Sequence, residues 1–263
     1  MSTTAICTDS SAQLPPALAA RCGAIVVPIS IAIDDRAVDE PELDVDDFYV
    51  SLGSGRRVTT SQPSPARFAE AYAAAAERGA SEVVSIHVGG ALSGTVQSAE
   101  LAAREAPLPV RVIDTGTASF GVAVCVLAAA DVLADGGSAA DVADAVGRLV
   151  PAIGNVFVAA PPAHGRIEAA ARPQILSLVG PTAQSLGTVT SPAEAVPTMA
   201  GHIRAQGGSP RVAVGYAAAS VGPAADALVA ALAEVEDVLR YRVGPSVGAH
   251  TGGSSFGAFW WPK

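Results

Sequence analysis

Short β-branched runs alternate with alanine-rich stretches long enough to be helices almost from one end of this chain to the other. No other feature limits its fold as much. Thr4–Thr8, Val83–Val88 and Val110–Asp114 are apolar runs bounded by turn residues, the pattern of buried strands. Between them, Ser64-Pro65 opens a helix with a serine cap and a proline in its first turn, and Thr95–Glu105 gives another. A strand, a helix and a second strand in succession call for a crossover connection. The first half therefore reads as a mostly parallel sheet with helices on both faces. A further helix opens near Pro15-Pro16, and Ala24–Ile33 reads as one extended strand with an irregularity at Pro28. Asp34–Asp47 is acidic and loop-rich, Asp46–Leu52 a short helix, and Gly53–Arg57 a surface connection. After Thr115–Gly121 a long helix ends near Asp135-Gly136-Gly137, and Ser138–Leu149 is amphipathic.

The pattern shifts near Pro151-Ala152-Ile153-Gly154. Beyond it, strands are expected at Val156–Ala160, Ile175–Val179, Leu186–Val189, Arg211–Tyr216 and Asp237–Val243, with an aromatic last strand in Ser254–Trp261. Helices are expected over Ala163–Ala171, Ser191–Gln206 and Val221–Leu232. The fold class is thus α/β in two α/β domains: residues 1–150 around the parallel sheet and a smaller one over 151–263. A chain of 263 residues has room for both cores.

Half of the residues are hydrophobic and 16% are charged, the profile of a compact protein. A net charge of −9 argues against a nucleic-acid partner, which needs a basic face. Apolar stretches such as Val122–Ala130 fall short of a membrane span, and the start has no signal pattern, so a soluble cytoplasmic protein is expected. Cys7, Cys22 and Cys125 lack metal-ligand spacing, and His87, His164 and His202 lack i, i+4 partners. No metal and no other cofactor is expected.

Three polar clusters remain: Thr60-Ser61-Gln62-Pro63-Ser64, Leu92-Ser93-Gly94-Thr95 and His250-Thr251-Gly252-Gly253. They offer hydroxyls, N–H groups and an imidazole, without a carboxylate or thiol. Ser93-Gly94-Thr95 follows a strand and opens a helix, where N–H groups and the helix dipole favour an anion. A plain serine N-cap eased by Gly94 fits the same text. Taken alone, Thr60-Ser61-Gln62 reads as turn chemistry, whereas the glycines from Gly244 to Gly257 let the backbone near His250 approach a ligand. Gathered in one cleft, the clusters would grip a small anionic group such as a carboxylate, with apolar residues enclosing whatever it carries. Asp9 and Asp114 end strands and read as caps of the helices that follow. Arg166 is either a carboxylate partner or a helix-surface cation. A Ser93–His250–Asp9 triad can be written down, which makes an acyl hydrolase using Ser93 and His250 the alternative. Gly90-Ala91-Leu92-Ser93-Gly94, however, lacks the G-x-S-x-G spacing of a nucleophile elbow.

Taken in order, these segments resemble the DegV family of bacterial fatty-acid-binding proteins. Ile6–Pro15 is similar to the family's opening T-D-S-x-x-x-L-P. Val27-Pro28-Ile29, Asp46-Asp47-Phe48-Tyr49, Thr60–Ser64, Leu92–Thr95, Val112–Thr115, Gly165-Arg166-Ile167, Gly244-Pro245 and His250-Thr251-Gly252 continue the series. The resemblance implies two α/β domains with a long-chain fatty acid whose carboxylate is hydrogen-bonded in the cleft between them. Its ligands would be Thr60, Ser61, Ser93, Thr95 and His250, flanked by Gly94 and Thr251, with Arg166 a weaker candidate. Family members of the FakB type present the fatty acid to a separate ATP-dependent fatty acid kinase. The resemblance therefore implies a carrier with no chemistry of its own. The sequence departs from the pattern at His164-Gly165, where a doubled glycine is usual, in the short segment Gln174–Thr190, and at Gly253-Ser254.

Overall fold

The computed structural model describes residues 3–160, 172–235 and 238–263. The chain opens with β1 (Thr4–Asp9), α1 (Pro16–Cys22), β2 (Ile25–Val27), β3 (Ser30–Ile33), β4 (Arg36–Asp39), α2 (Val45–Gly53) and β5 (Val58–Ser61). Next come α3 (Pro65–Glu77), β6 (Glu82–His87), α4 (Thr95–Ala103), β7 (Val110–Asp114), α5 (Phe120–Ala134) and α6 (Ala139–Leu149). The remainder holds β8 (Gly154–Ala159), β9 (Gln174–Val179), β10 (Thr182–Thr188), α7 (Val196–Arg204), β11 (Arg211–Tyr216), α8 (Gly222–Ala231), β12 (Val238–Arg242), α9 (Pro245–Thr251) and β13 (Phe256–Trp261). Two compact units form: residues 1–30 with 61–151, and residues 31–60 with 152–263. Consecutive halves meeting at residue 150 were the expectation; in the structure, residues 31–60 are grouped with the C-terminal residues.

The first unit is built on a parallel sheet of order β2-β1-β6-β7. Successive side chains of a strand point to opposite faces. Cys7 and Val83 thus share one face with Val27, packed against Phe68, Tyr72 and Ala75 of α3 and Ala99 of α4. The opposite face meets α5, which is buried without a break from Phe120 to Leu127. A helix apolar on every side belongs in an interior, and its sequence offers no polar stripe for solvent. α6 is amphipathic and starts at a capping box in which Ser138 and Asp141 exchange hydrogen bonds. Strand order reverses between β1 and β6, and at such a switch point open α/β sheets bind ligands beyond the carboxyl ends of the strands.

In the second unit, β10-β9-β8-β13-β11-β12 form a mixed sheet in which β11 and β12 run parallel and the other neighbours antiparallel. Val156, Val158, Phe256 and Trp260 of this sheet pack with Met199 and Ile203 of α7 and Leu228 of α8. A separate sheet of order β4-β3-β5 belongs to residues 30–61.

Several local expectations are corrected. Ala24–Ile33 is two strands in two different sheets, because Pro28 has no N–H with which to continue a ladder. The segment read as acidic loop holds β4 and a 3-10 turn over Glu40–Glu42. Asp34 makes the turn into β4 with φ of 54°, a conformation aspartate tolerates. Val58–Ser61 is a strand where a polar turn was expected, and the strand placed at Leu186–Val189 lies further upstream, as Thr182–Thr188. The glycine-rich passage around His250 contains a short helix. The helix expected over Ala163–Ala171 lies outside the described residues. Among the described residues, no helix is long and apolar enough to cross a membrane.

Candidate functional site

In the first unit, the polar cluster sits in the loop that leaves β6 at the switch point. Gly89 O accepts from Leu92 N and Ser93 N at 2.8 and 3.1 Å, closing the turn. The loop is anchored to the one that follows β7. Asp114 Oδ1 accepts from Gly90 N and Gly116 N at 3.0 and 2.9 Å, and Gly89 N donates to Thr117 O at 2.8 Å. Asp114 thus ties two loops together where a helix cap was expected. α4 then begins at Thr95, with Gly94 rather than Ser93 at the N-cap position. Ser93 Oγ lies 2.8 Å from Thr95 Oγ1 and accepts from Thr95 N at 3.4 Å. Ser93 is half-buried and Thr95 fully buried. A Cβ at Gly94 would run into the Gln62 carboxamide, the far end of an exposed side chain that lies over the cap and would have to swing aside. Ser61 and Gln62 are themselves exposed.

The second unit holds the other part. Thr60, on β5, places its Oγ1 2.9 Å from His250 Nε2, in the last turn of α9. Thr251 turns its hydroxyl back to Val247 O at 3.3 Å, and its carbonyl accepts from Ala160 N at 3.1 Å, so it ends α9 and joins it to β8. The chain passes from the second unit to the first between Thr60 and Ser61. Arg166 lies outside the described residues.

Asp9 belongs neither to Ser93 nor to His250. Its Oδ2 is 2.9 Å from His87 Nδ1 and also accepts from Val88 N at 3.4 Å. Its Oδ1 accepts from Ser11 N at 3.1 Å and from the Ser11 hydroxyl, so the expected capping role exists, on the 3-10 turn Ser10–Ala12. The chain of contacts continues inward: His87 Nε2 lies 2.6 Å from Ser85 Oγ, which lies 2.9 Å from Tyr72 OH. Asp9, His87, Ser85 and Tyr72 are all 0% exposed, so no substrate reaches this Ser-His-Asp row. It pins the carboxyl ends of β1 and β6 together. Burial pushes the neighbouring Cys7 thiol up to about 12 and raises the Tyr72 phenol as well, so both keep their protons at neutral pH. Sequence reading missed this row. Its signal was two polar residues, Ser85 and His87, spaced by two inside a strand otherwise apolar. Their partner Asp9 becomes visible only once β1 and β6 are known to be neighbours.

Chemically, hydroxyls, a helix start and an imidazole suit an anionic oxygen group and offer no redox centre. Among the described residues, no three His, Cys, Asp or Glu side chains are grouped to hold a metal.

Residues 3–160 match the model of the DegV family of uncharacterised proteins. A DegV domain-containing protein of Streptomyces coelicolor is 35% identical over 265 residues, which cover 94% of this chain and 94% of that protein. A fatty-acid-binding DegV family protein from Thermus thermophilus has a solved structure with a TM-score of 0.86 and 30% identity, covering 99% of this chain and 100% of that one. DegV of Bacillus subtilis, a fatty acid binding protein, shares the fold with a TM-score of 0.88 at 22% identity over 100% of both chains. With the family model matched over more than half its length and a relative similar from end to end, this chain belongs to the DegV family.

Proposed function

We propose that this protein binds a long-chain fatty acid and carries it as cargo, without chemistry of its own. The carboxylate would take hydrogen bonds from Thr60, Ser61, Ser93, Thr95 and His250 and from the N–H groups that follow Gly94. The observation that supports this most directly is the pairing of Thr60 with His250 at 2.9 Å. A threonine and a histidine 190 residues apart in sequence share a polar contact, and the chain that follows Thr60 leads directly into Gln62, whose carboxamide lies by Gly94. The Thermus protein, similar over the whole chain, is a fatty acid binder, which favours the same ligand class here. Thr251, with its hydroxyl returned to its own helix, contributes by ending α9, and Arg166 remains an additional candidate ligand.

The physics is consistent with a carrier. A carboxylate taken out of water needs several hydrogen bonds, and neutral donors supply them without a metal. Each buried methylene adds about 0.8 kcal/mol, so a chain of roughly fourteen contributes on the order of 11 kcal/mol before the entropy of association is subtracted. The tail provides affinity and the polar groups decide which end sits where. A fatty acid held by its carboxylate is a substrate in waiting for an ATP-dependent kinase, and we extend the proposal to such a partner.

Mass spectrometry of an organic extract from gently purified protein tests the reading. A stoichiometric fatty acid is expected. An empty protein that also takes up none of a panel of added fatty acids overturns it. For the partner, the loaded protein should support acyl phosphate formation by a fatty acid kinase and ATP, where the same fatty acid free in solution does not.

A further inference from the structure

α9 carries His250, yet it has little means of holding itself in place. It is seven residues long, begins with proline and contains Gly248. A helix of this length does not repay its nucleation, and an internal glycine costs roughly 1 kcal/mol more relative to alanine. Its position is imposed from outside: Thr251 ties its end to Ala160 after β8, and residues 31–60 of the same unit hold the rest. Glu40, on the 3-10 turn after β4, is 7% exposed. Its Oε1 accepts from both Ser246 N and Ser246 Oγ at 2.8 Å, in the first turn of α9. Donors at the positive end of a helix are what a buried carboxylate needs. Tyr49 of α2 donates to Val243 O at 2.7 Å, just ahead of α9. Its ring lies so close to Gly248 that a Cβ there would meet the phenol oxygen at 2.3 Å. Thr60 then receives the far end of the helix at His250.

We infer that Glu40 is a positioning residue for the candidate site. By fixing the first turn of α9 it sets where His250 stands against Thr60, and so how well that pair receives a carboxylate. Glu40 is bonded at the opposite end of the helix, about 6 Å along its axis from His250, and acts only through the helix. The ligand in this inference rests on the carrier reading, whereas the coupling of Glu40 to His250 does not.

The full-length protein is therefore read in two ways: the ring nitrogen and proton resonances of His250 without ligand, and the dissociation constant for hexadecanoic acid. Glu40→Ala should move the His250 resonances toward those of Thr60→Val, the variant that lacks the hydroxyl. It should also weaken hexadecanoate binding about tenfold, the scale of one hydrogen bond to a charged group. Glu40→Gln keeps an acceptor oxygen for Ser246 and should restore both. A Glu40→Ala protein less stable to urea, yet with wild-type His250 resonances and affinity, reduces Glu40 to a structural role and overturns the inference. If Glu40→Ala does not fold, Ser246→Ala removes one of the two donors and keeps the other. A smaller shift in the same direction then supports the inference, and unchanged resonances overturn it. Should the wild-type protein bind no hexadecanoate, the carrier reading fails, while the His250 resonances still decide the role of Glu40.

Discussion

In the proposed site, hydroxyls and an imidazole would hold a carboxylate by direction and number of hydrogen bonds, with little net charge to draw it in. Two consequences belong to single residues. Ser93→Ala should weaken fatty-acid binding about tenfold, measured by displacement of a fluorescent fatty acid, and no ester turnover should exist in the parent for it to abolish. Because Thr60, Ser61, Ser93 and Thr95 are uncharged, affinity should change little between low and high salt. A steep dependence would assign Arg166 a direct share in holding the anion. The buried row behaves differently. Asp9→Ala leaves His87 without its carboxylate at a position 0% exposed, and should cost roughly 3–5 kcal/mol in urea unfolding. At this scale the sequence is readable where polar residues cluster beside turn signals, as at Thr60 and Ser93–Thr95. Asp9, Ser85 and His87 were not readable as a group, because their bonds run between strands 78 residues apart.

Elements in the first unit were legible because its strands are apolar runs between glycine, proline and aspartate, and because parallel strands must be bridged by helices. β5 and α9 were not. One is four residues, the other seven, and a helix that short persists by packing rather than by propensity. α9 shows how such an element is kept. Tyr49→Phe deletes the donor to Val243 O inside a buried contact, and should lower stability by about 1–3 kcal/mol. Gly248→Ala inserts a methyl against the Tyr49 ring, and an overpacking cost of roughly 1–3 kcal/mol is expected. Thermal unfolding of both variants checks this. The double variant Tyr49→Ala with Gly248→Ala should recover part of the Gly248→Ala loss, since the obstructing ring is gone, and independent additive losses would contradict the packing described.

For the molecule as a whole, buried thiols set an alkaline limit. Burial pushes Cys7 and Cys125 up to about 12 from 9.0, so between those pH values the unfolded chain ionises these thiols and the folded chain does not. Stability contributed by the protonated thiols is complete below pH 9 and falls as pH rises, by about 1.4 kcal/mol per pH unit for each group once past 9. Urea midpoints should drop steadily from pH 9 to 11, and Cys125→Ala should flatten the slope. The parallel sheet and the α/β class were visible at this scale, and the assignment of residues 31–60 was not, since nothing in Arg36–Thr60 names partners that lie so far downstream. That assignment bears on how the protein is made. The ribosome releases Glu40 206 residues before Ser246, and Tyr49 194 before Val243. At roughly 5–20 residues per second, this separation amounts to about 10–40 s of translation. The first unit can close once Pro151 is made, while the stretch from Ile31 to Thr60 still waits for its partners. During synthesis its uncovered strand edges and the waiting ring of Tyr49 are a natural target for chaperones.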